Sequence, residues 1–307
     1  MPRSVLELFN EIKLKTGSAQ IANWIVSEAI GRPYFQALSE DLTADDGSVS
    51  RALEYSRRLE EGEPIQYVLG RWSFRDLELV VDHRALIPRP ETEVVVEVAL
   101  QCLKKRRVDH PRILELGTGS GAPAIALATE IPGAYVLGTD LSVDALSLAR
   151  ANLRLYSDRI SGHMELIQAD WFRAIDPDEQ PLIDSGEFDL IFSNPPYIGQ
   201  DDYDLLEPLV RDWEPRSALL SGERGTEQLE TILRWAPRYL AQSGCLVLEM
   251  DPAQVGLVVD FAQNIGYECE VFCDLAERKR GLVAKLLYGD LRTGGDPDVA
   301  LQQLFDN

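Results

Sequence analysis

Residues 112–128 read Arg-Ile-Leu-Glu-Leu-Gly-Thr-Gly-Ser-Gly-Ala-Pro-Ala-Ile-Ala-Leu-Ala. An apolar strand-like run, Ile113 to Leu116, goes straight into a glycine-rich turn, and a helix opens where the turn ends. Glycine lets the backbone turn sharply and come close to a ligand with no Cβ in the way. The helix behind it begins with N–H groups that have no partner inside the helix.

The same rhythm continues downstream. Strands are expected at Ile113–Leu116, Ala134–Thr139, Met164–Ala169, Phe188–Ser193, Cys245–Glu249, Tyr267–Phe272 and Leu282–Tyr288, with helices over 122–130, 142–155, 227–240 and 252–265. Strands alternating with helices imply an α/β fold, a largely parallel sheet covered on both faces. Upstream, residues 72–87 alternate apolar and polar through Phe74, Leu77, Leu79 and Val81, which reads as a hairpin, and an apolar helix follows over Val94–Leu103. Residues up to about 70 are helical in pattern. Val5, Leu6, Leu8, Phe9 and Ile12 make one apolar face, and Ile21, Trp24, Ile25 and Ile30 another. Gly31-Arg32-Pro33 breaks the second helix, Leu38–Leu42 carries a short third, and Asp45-Asp46-Gly47-Ser48 caps a helix through Ala52, Tyr55 and Leu59. The expected organisation is a small helical domain over 1–72, a hairpin and connecting helix over 73–110, the α/β domain over 111–288, and a mobile tail over 289–307.

Composition narrows the partners. With 45% hydrophobic and 26% charged residues the chain has the makeup of a folded globular protein. Glu7, Asn10 and Glu11 interrupt the apolar core that a secretory signal would need, and no long apolar run suggests a membrane span, so a cytoplasmic protein is expected. Thirty Lys+Arg against 51 Asp+Glu give a net charge of −21, which counts against direct binding to nucleic acid. The basic cluster Lys104-Lys105-Arg106-Arg107 reads as a solvated helix end. Cys102, Cys245, Cys269 and Cys273 show no metal-binding spacing to one another or to the histidines, so no metal is implied, and Cys245 and Cys269 read as small buried hydrophobes.

Two motifs carry chemistry. The first is the loop Gly117-Thr118-Gly119-Ser120-Gly121, with Asp140 at the end of the next strand. An acidic residue about 20 positions beyond such a loop can accept hydrogen bonds from ribose hydroxyls. A dinucleotide site asks for a third glycine where Ala122 and Pro123 stand, and the acidic Glu115 before the loop suits a cationic ligand better than a pyrophosphate. Both features favour S-adenosylmethionine. The second motif is Asn194-Pro195-Pro196-Tyr197, at the end of the apolar run Phe188–Ser193. The prolines fix their own φ and hold the Asn194 side-chain oxygen and the Pro195 carbonyl as a rigid pair of acceptors. Such a pair can grip both hydrogens of a planar –NH2 group while Tyr197 offers a face to stack on it. That suits methyl transfer to an amide or an exocyclic amine.

With Pro64-Ile65-Gln66-Tyr67-Val68-Leu69-Gly70, the stretch Leu86-Ile87-Pro88-Arg89-Pro90-Glu91-Thr92-Glu93, and Glu214-Pro215-Arg216-Ser217-Ala218-Leu219, these motifs make the chain resemble the HemK/PrmC family along nearly its whole length. These are protein-(glutamine-N5) methyltransferases of class I peptide-chain release factors. The resemblance implies a Rossmann-like S-adenosylmethionine-dependent methyltransferase sheet, a helical N-terminal domain that helps recognise the release factor, and methylation of the glutamine in its Gly-Gly-Gln motif. It places Gly117, Thr118, Gly119, Ser120 and Gly121 along the methionine part of the cofactor, Asp140 on the ribose, and Trp171 beside the adenine. Asn194, which also touches the cofactor, would hold the substrate glutamine with Pro195, Pro196 and Tyr197. Arg89, Pro90 and Glu91 fall in the family signature beside the cofactor. The chain departs from the family at Pro123 and after Glu249, where Met250-Asp251 replaces a more usual Ile-Gly. The sequence leaves the oligomeric state open, with a monomer as the expectation. Two other readings share these motifs: an adenine-N6 methyltransferase of nucleic acid, and a non-catalytic S-adenosylmethionine-binding relative. The acidic charge opposes the first, and the intact Asn194–Tyr197 motif opposes the second.

Overall fold

A computed structural model describes residues 3–173 and 187–287, so the tail over 289–307 and the strand end at Tyr288 lie outside the described residues. The chain divides into two compact units, one built on the residues up to Trp72 with 81–83 and 207–213, the other on Ser73–Val80, Arg84–Leu206 and Glu214 onward.

In the first unit, β1 (Arg3–Ser4) leads into α1 (Val5–Thr16), α2 (Ala19–Ile30), α3 (Tyr34–Ser39), β2 (Thr43–Ala44), α4 (Asp46–Glu60) and α5 (Ile65–Leu69). Short polar side chains start the helices. Ser4 and Glu7 form a reciprocal capping box on α1, and Asp45 Oδ1 accepts the Ser48 N–H at 2.6 Å to cap α4. Leu8, Ile12, Ala22, Ile25, Val26 and Ala29 make the core of this unit. The third helix lies earlier than the sequence suggests, over Tyr34–Ser39 instead of Leu38–Leu42. Pro33, with φ already at −56°, nucleates it and accepts the N–H groups of Gln36 and Ala37, and Asp41 in the left-handed region ends it.

β3 (Arg71–Phe74) spans the change from the first unit to the second, and the second carries β4 (Leu77–Val80), α6 (Pro90–Arg106), β5 (Arg112–Leu116), α7 (Ala122–Glu130), β6 (Tyr135–Asp140), α8 (Val143–Tyr156), β7 (His163–Gln168), β8 (Phe188–Ser193) and α9 (Gln200–Tyr203). The short α10 (Pro208–Arg211) belongs to the first unit, and α11 (Glu227–Trp235), β9 (Leu240–Glu249), α12 (Val255–Asn264), β10 (Tyr267–Cys273) and β11 (Lys279–Leu286) complete the second. β3 and β4 pair with each other, and the other seven strands form one sheet in the order β10-β11-β9-β8-β5-β6-β7. Its strands run parallel except β11, which is antiparallel to both neighbours. Chain order runs outward from β5 through β6 to β7, then returns to β8 on the other side of β5. In such sheets the ligand crevice opens beyond the strand ends at this reversal.

One face of the sheet packs on α6, α7 and the hairpin residues Phe74, Leu77 and Leu79, and the other on α11 and α12 through Leu229, Ile232, Leu233, Val255 and Val258. The helix expected over 227–240 stops at Trp235. Pro237 has no N–H for an α-helical bond, so residues 236–238 tighten into a 3-10 turn and β9 starts at Leu240. The basic end of α6 is not merely solvated. Arg106 donates to the carbonyls of Asp189 and Gln242 and pairs with the Asp189 carboxylate at 3.1 Å. Cys245 is buried as expected, and Cys269 is half-buried.

Asn152, fully buried on α8, ties three segments together. Its Nδ2 donates to the carbonyls of Val80 and Ser120 at 3.0 and 2.9 Å, and its Oδ1 accepts the Val80 N–H at 2.8 Å. An alanine there would leave three backbone groups without their partner, the Ser120 carbonyl buried and the two at Val80 part-buried and within reach of water. A fully buried orphan costs about 1–3 kcal/mol. Asn152→Ala is therefore expected to lower unfolding free energy by about 2–4 kcal/mol, with the denaturant slope unchanged. Urea titration followed by circular dichroism measures it, and a loss under about 1 kcal/mol would show that the clamp contributes little.

Candidate active site

The two motifs meet because their strands are neighbours. Leu116 pairs with Ser193 across β5 and β8, and Ser193 Oγ donates to the Leu116 carbonyl at 2.6 Å. The next residue on each strand, Gly117 and Asn194, therefore leaves the sheet at the same level. Between and around them lies a cavity of about 420 Å³.

The glycine loop is held in a conformation that only glycines adopt without strain. Gly117, Gly119 and Gly121 have φ of 72°, 54° and 82°. Thr118 N–H donates to the Thr139 carbonyl, and Gly121 N–H to the Thr118 carbonyl. Gly117, Thr118, Gly119 and Ser120 line the cavity, whereas Gly121 does not. A Cβ on Gly121 would stand 3.1 Å from Ile125 Cδ1 and 3.2 Å from Ala149 Cβ, so this glycine serves the close packing of α7 on α8. Pro123 occupies the first turn of α7, where its missing N–H is not needed for an intrahelical bond.

Two carboxyl groups flank the loop. Asp140 Oδ2 accepts the Gly119 N–H and Oδ1 the Ser142 N–H, both at 2.8 Å. Burial pushes its carboxyl above the usual range, and these two hydrogen bonds oppose the shift. Glu115 is 3% exposed and lines the cavity. Burial pushes it up to about 8, even though it accepts a hydrogen bond from the Thr118 hydroxyl and the nearby Ala124 N–H also favours its charged form. Two acidic groups beside a glycine cradle fit a cationic, ribose-bearing ligand, as S-adenosylmethionine is, and do not fit a pyrophosphate.

Trp171 also lines the cavity, with φ of 51°, its ring next to Gly117 and its Nε1 donating to Gln228 Oε1 at 2.8 Å. Gln228 also lines the cavity and was not legible in the sequence, since nothing near it at the start of α11 marks it. The stretch around Arg89 and the segment from Glu214 meet through one buried carboxylate. Glu214 pairs with Arg89 through Oε1, and its Oε2 accepts the Ile87 N–H at 3.0 Å. Glu91 instead pairs with Arg278 at 3.2 Å.

Asn194 and Pro196 line the cavity; Pro195 is buried, and neither it nor Tyr197 is in the lining. Tyr197 is half-buried and packs against the apolar cluster beneath α11 and α12, and its carbonyl accepts from Gln254 Nε2 at 2.7 Å. Asn194 Nδ2 donates to Thr92 Oγ1 at 3.2 Å, which leaves Oδ1 as the free end of the amide. Among the described residues no His, Cys, Asp and Glu cluster is placed to hold a metal ion, and no helix is long and apolar enough to cross a membrane.

Residues 91–215 match the Methyltransferase small domain family. The chain is 39% identical over 231 residues to the release factor glutamine methyltransferase of Rhodopirellula baltica, covering 74% of this chain and 75% of that one. It is 34% identical over 289 residues to the protein of the same name from Burkholderia pseudomallei, covering 93% and 97%. With the human MTRF1L release factor glutamine methyltransferase it shares 33% identity over 284 residues, covering 89% and 81%. Among solved structures, the hMettl16 catalytic domain in complex with MAT2A 3'UTR hairpin 1 aligns with a TM-score of 0.53 at 14% identity, covering 82% of this chain and 85% of that one, a likeness of fold alone. The sheet, the crevice at its reversal point and these relatives agree: the chain is a methyltransferase of the Rossmann-like α/β fold and belongs to the release factor glutamine methyltransferase family.

Proposed function

We propose that this protein transfers a methyl group from S-adenosylmethionine to the side-chain amide nitrogen of the glutamine in the Gly-Gly-Gln motif of class I release factors, in the cytoplasm. The observation that carries the reading is the Asn194 amide, whose –NH2 end is engaged by Thr92 and whose carbonyl end is free in the cavity that Gly117–Ser120 and Asp140 also line. S-adenosylmethionine supplies the electrophilic methyl group. Gly117, Thr118, Gly119 and Ser120 would hold its methionine part, Asp140 would accept from the ribose hydroxyls, and Trp171 would contact the adenine.

Asn194 Oδ1 and the Pro195 carbonyl accept the two hydrogens of the substrate amide. An amide nitrogen is a poor nucleophile because its lone pair is delocalised, so fixing its approach lowers the barrier through orientation. Positive charge builds on that nitrogen as its bond to the methyl carbon forms and the methyl–sulfur bond breaks, the electron pair leaving on the thioether. The two carbonyl dipoles stabilise the charge until one N–H proton is lost to water. Pro195 and Pro196 keep this pair from relaxing. The helical unit would recognise the release factor. A nucleic-acid adenine substrate is disfavoured by the net charge of −21.

Transfer of labelled methyl to a recombinant release factor, run beside its Gln-substituted variant and duplex DNA, tests the reading. Label should appear on the first alone, and equal labelling of the Gln-substituted factor or of DNA would overturn it. Asn194→Ala removes one preorganised dipole and should lower kcat by about 10²–10³ with little change in cofactor affinity. Near wild-type turnover would rule out the amide-gripping role.

Asp140→Ala should weaken S-adenosylmethionine binding by about 1.5–3 kcal/mol, because a charged acceptor is lost and the Gly119 N–H loses its partner. Isothermal calorimetry reads this directly, and unchanged affinity would remove Asp140 from the site.

Glu115, held near 8 by burial, should give up its proton when a cation enters beside it. Binding of S-adenosylmethionine at pH 7 is expected to release up to about 0.9 proton, seen as calorimetric heats that vary with buffer ionisation enthalpy. The neutral thioether product should release much less, and Glu115→Gln should abolish the difference. Equal proton release by both ligands would contradict this placement of the cation.

A further inference from the structure

Trp171 stands on the cavity wall in a conformation that side chains with a Cβ avoid. Its φ of 51° lies in the left-handed region, where such a residue persists only if its surroundings hold it. The main chain is pinned on both sides. Ala169 N–H donates to the Asp140 carbonyl at 3.0 Å, and Phe172 is buried with its ring stacked on Tyr239, the centroids 4.6 Å apart. These contacts fix the backbone and leave the direction of the indole ring to be set by what the ring itself touches. One edge lies beside Gly117, where a Cβ would stand 3.8 Å from Cζ3. The polar partner is Gln228, whose Oε1 accepts the Nε1–H at 2.8 Å.

The direction of this bond admits no alternative. An indole nitrogen only donates, so the carbonyl end of the Gln228 amide must face it, and a half turn of the amide would set donor against donor. Gln228 is fixed in its turn. It lies in the first turn of α11, and its own N–H donates to Ser221 Oγ at 3.3 Å. Ser221 is fully buried, and its N–H donates to the Ile198 carbonyl at 2.7 Å. The acceptor for the indole therefore stands at a set place on the wall that Gly117, Asp140 and Trp171 share.

We propose that Gln228, through its side-chain carbonyl oxygen, is the positioning residue that sets the Trp171 ring for the nucleoside end of the cofactor. The proposal rests on the S-adenosylmethionine-binding reading argued above. Without the acceptor, the ring stays attached to a pinned backbone but turns about χ1 and χ2, and its N–H is satisfied by water instead. The nucleoside must then order the ring as it binds, and affinity falls by the cost of that ordering.

Two ligands without the sulfonium charge read this end of the site, S-adenosylhomocysteine and methylthioadenosine, the second lacking the amino-acid part. Calorimetry compares them on the wild type, on Gln228→Leu, which removes the acceptor, on Gln228→Glu, which keeps one, on Trp171→Phe, and on the Trp171→Phe, Gln228→Leu double variant. Gln228→Leu should weaken both ligands alike, by about 3–10-fold, and Gln228→Glu should bind them nearly as the wild type does. In the Trp171→Phe background Gln228→Leu should have no further effect, because the donor it acts through is gone. In the proton–nitrogen NMR spectrum, the indole signal that Trp171→Phe deletes should exchange slowly with water in the wild type and in Gln228→Glu, and much faster in Gln228→Leu. Gln228→Met, close in shape, takes the place of Gln228→Leu if that variant does not fold. Unchanged affinity or unchanged indole exchange in Gln228→Leu, or an equal loss in Gln228→Glu, would overturn the proposal. So would a full loss on adding Gln228→Leu to Trp171→Phe, since Gln228 would then act on the ligand by itself. Wild-type protein that binds neither ligand would overturn the cofactor reading, and the proposal with it, which is a separate result.

Discussion

The pairing of β5 with β8 sets the distance on which everything else depends. Two parallel strands lie about 4.8 Å apart, and here they end together, with Leu116 opposite Ser193 and a hydrogen bond between them. The groups assigned to the two reactants therefore leave the sheet from adjacent strand ends. No loop has to be long or well ordered to bring them together. Because the chain reverses its direction across the sheet at this point, helices cover both faces but leave the strand ends open, and the crevice forms where backbone groups are still unpaired.

Around that opening, polar side chains take up backbone groups that the turn leaves over. Asp140 accepts from Gly119 and Ser142, Glu214 from Ile87, and Asn152 joins Ser120 to Val80. Each contact replaces water at a main-chain N–H or C=O, so the cavity wall is fixed by the protein itself. These buried carboxyls differ in what they face. Glu214 has an arginine partner, whereas Glu115 and Glu249 have none that compensates burial, and both are pushed up into the range where they change charge near neutrality.

Much of this was legible in the sequence because it is local. The strand, the glycines and the helix of residues 112–130 are contiguous, and Asp140 sits one strand later, so periodicity and spacing were enough. The misplacements were local too. The third helix starts from Pro33 and not at Leu38, and Pro237 stops α11 five residues early. What could not be read is contact between distant segments. Glu214 with Arg89 and Gln228 with Trp171 are joined only by the folded sheet, and no spacing rule encodes them. The glycines and the Asn194–Tyr197 motif show a subtler limit. Their residue types are right for a ligand site, yet Gly121 and the Tyr197 ring are turned toward packing, which a motif does not distinguish from contact.

The backbone contact between α7 and α8 reaches further than its size suggests. Ala149 is fully buried against Gly121, and α8 carries Asn152 one turn later. A Cβ at position 121 would stand only 3.2 Å from Ala149 Cβ, so the seam at position 149 is spaced for an alanine facing a glycine. A larger residue there would displace the helix axis, and Asn152 would move with it, drawing on Ser120 and on the hairpin at Val80. Position 149 touches neither reactant, yet its volume sets the shape of the cradle.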